Sequence, residues 1–240
     1  MPKTSPRFSP GTLTFLKRLK RNNRREWFNV RRDEFEAVVR QPMIAIVEQL
    51  AVDMRAIAPE LLVSPKHSIY RIYRDTRFSD NKQPYKTHVA ASFWPRELAK
   101  GVGAGMYFHV SPDGVWVGGG MYAPETPQLQ AVREQIAANL RRFRSIVEAP
   151  AFKRGLDGGL EGEQLQRVPR GFSKDHEAAH YLKYRQFLAG REFPARFATG
   201  STFYPGMLGV FRQIAPLIRF LNEPIRDQNR GVGRSGDLAM

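Results

Sequence analysis

The sequence predicts an α+β protein: a single domain with a largely antiparallel sheet of about four to six strands, packed with N-terminal and C-terminal helices. Three observations predict it. Helical periodicity dominates the chain through Met54 and returns near the C-terminus. Between these regions lie short alternating runs rich in β-branched and aromatic residues, separated by turn residues. No linker-like stretch divides the chain, and 240 residues suffice to bury a substantial core.

Each element has a local reason. Ser9-Pro10 places an N-cap and a first-turn proline ahead of Leu13, Leu16 and Leu19, a helix ending near Arg21. Asn22-Asn23 is a break. Arg24 to Met54 reads as helix, with Trp27, Phe28, Phe35, Val39, Ile46 and Leu50 as core positions and Pro42 as a kink or split. Ser68 to Arg74 alternates as a strand. Ile69, Arg71 and Tyr73 share one face; Tyr70, Ile72 and Arg74 share the other. Thr76 to Gln83 is a loop, and Thr87 to Trp94 a second strand. Ala104 to Val110 and Val115 to Tyr122 flank Ser111-Pro-Asp-Gly114, the signature of a hairpin turn.

The second half continues in the same way. Glu125 to Phe143 carries Leu129, Val132, Ile136 and Leu140 at helical spacing. Gly155 to Glu163 is a glycine-rich loop, Asp175 to Tyr184 a short helix and Arg185 to Phe193 a strand. Thr202 to Leu221 is helical, interrupted at Pro205 and Pro216. The domain thus spans residues 1–225, and the polar, unpatterned residues 226–240 read as a disordered tail.

Composition limits the function classes. Cysteine is absent, which excludes disulfides and thiolate chemistry. No run approaches the about 20 apolar residues of a membrane span. Met1 to Phe15 lacks the apolar stretch of a secretory signal, so a cytoplasmic location is expected. The net charge is +15, and residues 1–25 hold eight Lys or Arg and no acid. That balance favours anionic partners: phosphorylated or carboxylated small molecules, or nucleic acid.

No cofactor is expected. Gly101-Val-Gly-Ala-Gly105 precedes a strand instead of following one, so it fails as a dinucleotide fingerprint. Walker-type and Gly-x-Ser-x-Gly motifs are missing. Gly118-Gly-Gly120 marks a bulge or a close backbone approach.

The richest chemistry lies in Arg71-Ile-Tyr-Arg-Asp-Thr-Arg-Phe-Ser-Asp-Asn-Lys-Gln-Pro-Tyr-Lys86. A guanidinium is a planar fork that matches two oxygens of a phosphate or carboxylate at once. Arg71, Arg74, Arg77 and Lys82 are therefore candidates for binding an anion, with Tyr85 and Lys86 at the rim. Asp75 orients a guanidinium or serves as a base, and His88 is a second candidate for acid–base work. The competing reading is an internal ion-pair network with Asp75, Asp80, Glu26 or Glu97.

The same segment resembles an uncharacterised bacterial and fungal family, domain of unknown function 2461. Its signature Arg-x-x-Arg-Asp-x-Arg-Phe, then Asp or Asn, Lys and Tyr, is matched by Arg71, Arg74, Asp75, Arg77, Phe78, Asn81, Lys82 and Tyr85. Asn-Arg-Arg-Glu-Trp-Phe at 23–28, Gly118-Gly-Gly120, Val-Pro-Arg-Gly-Phe at 168–172 and Leu-Ile-Arg-Phe-Leu at 217–221 are similar too. The resemblance implies a protein of about this length. It carries no established activity and no catalytic assignments.

Two alternatives remain. Arginine mixed with aromatics and the basic N-terminus suit a nucleic-acid binder. His176-Glu-Ala-Ala-His180 fits a zinc hydrolase, with His176 and His180 as ligands on one helix face and Glu177 as base. The metzincin continuation is missing, since Lys183 and Gln186 stand where Gly and His belong. Trp27, Phe28 and Trp94 read as core aromatics.

Overall fold

A computed structural model describes residues 5–77 and 80–236, with side chains up to residue 227. Residues 1–4, 78–79 and 237–240 of the segments discussed above lie outside the described residues.

The chain opens with α1 (Pro10–Arg21), α2 (Arg25–Asn29) and α3 (Arg32–Phe35). The run expected as one helix from Arg24 is therefore divided. Its first break falls at Asn29-Val30-Arg31, where two residues of weak helix propensity meet. The second is a π turn over Glu36–Arg40, followed directly by α4 (Gln41–Ile57).

Pro42 explains the π turn. It has no N–H to give to the Val38 carbonyl four residues back, and its ring crowds that carbonyl. The turn widens there, and the Gln41 N–H donates to the Glu36 carbonyl five residues back. The Val38 carbonyl instead accepts from the Thr12 hydroxyl of α1, at 2.5 Å. The predicted kink is thus a widened turn with its orphan acceptor filled from another helix.

Five strands follow one another in space as in sequence, β1-β2-β3-β4-β5, in one antiparallel sheet. They are β1 (Leu61–Leu62), β2 (Val89–Pro95), β3 (Gly105–Val110), β4 (Val115–Met121) and β5 (Phe187–Phe193). The expected β3–β4 hairpin closes with the Ser111 hydroxyl accepting from the Asp113 and Gly114 N–H groups at 3.2 and 3.1 Å. Gly119 and Gly120 are products of crowding. A Cβ on Gly119 would lie 2.3 Å from the Gly105 carbonyl oxygen, and one on Gly120 would lie 1.9 Å from that of Phe187.

Ser68 to Arg74 is not a continuous strand. The tetrad α5 (Pro65–Ser68), capped by Ser64, takes its first residue. Beyond it only isolated antiparallel bridges form, Ile69 to Ala91 and Tyr73 to Tyr85. Four steps on one side face six on the other, so the ladder bulges and cannot run through.

In the second half come α6 (Thr126–Ala138), α7 (Leu140–Val147), α8 (Pro150–Gly155), α9 (Ala179–Leu182) and α10 (Phe203–Gly236). The helix expected over 125–143 is broken at Asn139, whose side-chain amide donates to the Gln135 carbonyl at 3.2 Å and competes with the ladder. α10 runs through Pro216 and Pro224 without ending. Pro205 sits in its first turn, where an N–H has no partner to lose. Helix also covers residues 226–236 of the segment read as a disordered tail.

The chain groups into two compact units. The first comprises Met1–Phe93, Tyr107–Val117 and Glu192–Gly209. Its core is built on phenylalanines: Phe28 lies 5.2 Å from Phe35, and Phe203 lies 5.7 Å from Phe8 and 6.5 Å from Phe108. The second comprises Trp94–Met106, Gly118–Arg191 and Val210–Met240. There Phe143 is the hub, 5.0 Å from Tyr181 and 5.2 Å from Phe220. Fully buried Asn222 bonds both backbone groups of Ala104, at 2.7 and 2.9 Å, and so stands in for a strand neighbour ahead of β3.

Candidate functional site

The bulged pairing before β2 decides where the Arg71–Lys86 side chains go. The Tyr70 N–H donates to Ala90, Lys86 to Ile72 and Arg74 to Pro84, at 3.0, 2.8 and 2.9 Å. Residues 75–77 and 80–83 lie between the two sides as loop.

Tyr85 is the clearest departure from expectation. It is 2% exposed and stacked on Phe28 at 4.2 Å, so its ring belongs to the core and to no rim. The buried Asn23 side chain bonds its N–H and carbonyl at 3.0 and 2.9 Å. Burial raises the Tyr85 phenol above its ordinary value. Tyr73 packs beside it at 5.4 Å.

The loop neutralises itself. Arg77 donates to both Asp75 oxygens, from Nε at 3.1 Å and from its terminal nitrogen at 2.8 Å. Its backbone N–H adds a bond to Asp75 at 3.2 Å. These bonds, with the fields of Arg77 and Arg71, hold the Asp75 carboxyl down to about 2. So acidic a group is a weak general base at neutral pH. Asp75 does orient a guanidinium, that of Arg77. Lys82 Nζ donates to the Thr76 carbonyl at 3.1 Å and closes the loop from the other end.

Arg71 is exposed and lines a cavity of about 160 Å³ with Phe28, Met43, Tyr73 and His88. The cations of the segment therefore have different fates. Two serve the loop, Arg71 lies on a cavity wall, and Arg74 and Lys86 act on His88.

His88 stands just before β2, its ring 5.5 Å from that of His109 on β3. Burial, then the fields of His109, Lys86 and Arg74, push His88 down to about 4. All three neighbours are cationic or become so on protonation. Burial lowers His109 as well, opposed by Glu192. Lys86 Nζ lies 4.9 Å from the Tyr70 ring centre. Tyr70 in turn lies 6.3 Å from Tyr107, whose phenol burial pushes up to about 12. Arg74 Nε is buried and has no hydrogen-bond partner. The arrangement is an electropositive patch with an orphan charged donor, suited to accepting an oxyanion.

Tyr70 and Tyr107 join this patch without having been singled out for it, whereas His109, like His88, was expected on a strand, either facing a pocket near the arginines or satisfied within the sheet. The signal was in the period of two: Tyr107 and His109 alternate with the buried Met106, Phe108 and Val110 and so share the opposite face of β3.

The expected Asp175–Tyr184 helix is only α9, and His176 precedes it in a turn. Its Nδ1 accepts from the Ala178 N–H at 3.0 Å. His180 sits in α9 with its ring 5.2 Å from Tyr181 and 5.8 Å from Tyr184. The two histidines therefore share no helix face, which was the geometric basis for zinc. Among the described residues, no group of three or more His, Asp or Glu is placed to hold a metal ion. No helix among them is long and apolar enough to cross a membrane.

A comparison with curated proteins finds no match. The pattern of one family, described as conserved hypothetical protein (DUF2461), matches residues 11–220. That match spans both units and every residue of the His88 patch, and the chain belongs to this conserved hypothetical family.

Proposed function

We propose that this protein binds the phosphate or carboxylate of an anionic ligand at Arg74, Lys86 and His88, in the cytoplasm. The observation that carries the reading is the buried, unpartnered Arg74 Nε. A buried charged donor left unpaired costs about 1–3 kcal/mol or more, and a ligand oxygen would remove that cost. Lys86 adds a point charge. His88 supplies a second donor once it takes a proton, because both ring nitrogens then carry hydrogen. Arg77, Lys82 and Tyr85 are not part of this reading, since the loop and the core already use them.

The linkage gives a signed test. An anion favours protonated His88, so binding raises its pKa from about 4 towards the ordinary 6.5. Anion affinity must then rise as pH falls from 6.5 to 4. Following the His88 ring resonances by NMR, with and without saturating phosphate, measures both effects. A His88 titration unmoved by phosphate overturns the reading.

A further inference from the structure

The orphan donor lies beside a row of rings. Tyr70 and Tyr107 are 6.3 Å apart, Tyr107 and Trp116 5.9 Å, and Tyr107 and His109 5.7 Å. Tyr107 and His109 stand on β3 and Trp116 on β4, all half-buried. Alternation explains the row, because their chain neighbours Phe108, Val110, Val115 and Val117 are buried on the other face. These rings therefore line the sheet face away from the phenylalanine core of their unit. Amphipathic rings left half-wet on strands offer faces to a flat partner.

Charge runs along the row with a direction. At the Tyr70 end, Lys86 lies over the ring, and Arg74 and Lys86 set the field at His88. At the other end, His109 and Trp116 share a pocket of about 470 Å³ with Glu192 and Asp113. Asp113 is paired there with Lys20 of α1 at 2.7 Å. A strand of linked anions is thus favoured at the Tyr70 end.

We infer that this face binds a segment of single-stranded nucleic acid, its bases stacked on Tyr107, Trp116 and Tyr70 and a phosphate held by Arg74 and Lys86. The inference rests on the anion site proposed above and names its partner. Several adjoining rings suit successive bases better than one isolated ring does. A duplex hides its base faces, so the single strand is the form that fits. The net charge of +15 acts in the same sense.

Fluorescence anisotropy with a labelled eight-nucleotide oligo-dU tests it, using uridine monophosphate and the matching duplex as competitors. The oligonucleotide is expected to bind at least about tenfold tighter than the monophosphate, and the duplex to compete poorly. Tyr107→Leu and Trp116→Leu should each weaken it by about 5- to 100-fold, while Tyr107→Phe, which keeps the ring, should not. Arg74→Gln should lower the salt slope by about 0.7, the share of one phosphate on a single strand. Circular dichroism melts of the variants separate lost binding from lost folding. An eight-mer no tighter than the monophosphate, or indifferent to Tyr107→Leu in a folded variant, overturns the inference. Phosphate binding at His88 with no oligonucleotide binding overturns the strand alone; failure of both overturns the anion site as well.

Discussion

Two places only a few residues apart, the Asp75–Arg77 tip and the Arg74 base from which it leaves, handle the same kind of charge in opposite ways. At the tip, Arg77 meets Asp75 through two side-chain bonds in open solvent. At the base, Arg74 brings a buried Nε to a place where no acceptor waits and where the neighbouring histidine is held neutral. An exposed Arg–carboxylate pair contributes little, because water serves both groups nearly as well. A buried unpaired donor is costly, because nothing replaces the water it has lost. The count of arginines therefore says little about function. What matters is which guanidinium has a nitrogen buried without a partner.

The comparison can be broken in three ways. The largest effect is expected from Tyr85→Ala, which empties the place stacked on Phe28. A buried aromatic cut to alanine costs about 3–5 kcal/mol, read by chemical denaturation. A Tyr85 that bound ligand from a rim would lose affinity and keep stability, the reverse of what its burial predicts. Next comes Arg74→Gln, expected to weaken phosphate binding about 10- to 100-fold by calorimetry. Arg77→Gln is expected to leave it within about twofold. Equal losses from both variants would erase the distinction between base and tip.

The smallest effect belongs to Asp75→Asn. Its thermal midpoint at neutral pH should stay within about one degree of the parent's. The sign is fixed by the lowered carboxyl. Any stabilisation by Asp75 is present above its ordinary 3.8 and disappears as pH falls to about 2, so parent and variant should converge in acid. A large gap at neutral pH would show the tip to be structural in its own right.

Much of the fold was legible in the sequence. β2 to β5 lie where alternation predicted them, and the Ser111–Gly114 turn closes as its residues require. What could not be read was set by partners distant in sequence. The bulge that breaks Ser68–Arg74 depends on a register with residues 85–91. α9 shrank to one turn because the His176 ring accepts from the Ala178 N–H two residues on, which holds a local turn where the helix would have opened.

The candidate site was legible only as a neighbourhood. The segment shows that cations cluster there, and residue type alone could not say that Arg77 would be spent on Asp75. Tyr85 was indistinguishable from a rim tyrosine until Asn23, far back in the chain, was seen to bond its backbone. Tyr107 and Trp116 read as ordinary strand aromatics, since nothing local reveals which face of a sheet stays open.

The bond from Thr12 to the Val38 carbonyl ties the first helix to a proline that follows it by thirty positions. Pro42 creates a vacancy, and α1 carries the group that fills it. A shortened chain that starts after Arg21 would expose that carbonyl, together with the apolar surface against Phe15, Leu16 and Leu19. α1 is thus a fixed component of the architecture, and an engineered version should be trimmed elsewhere.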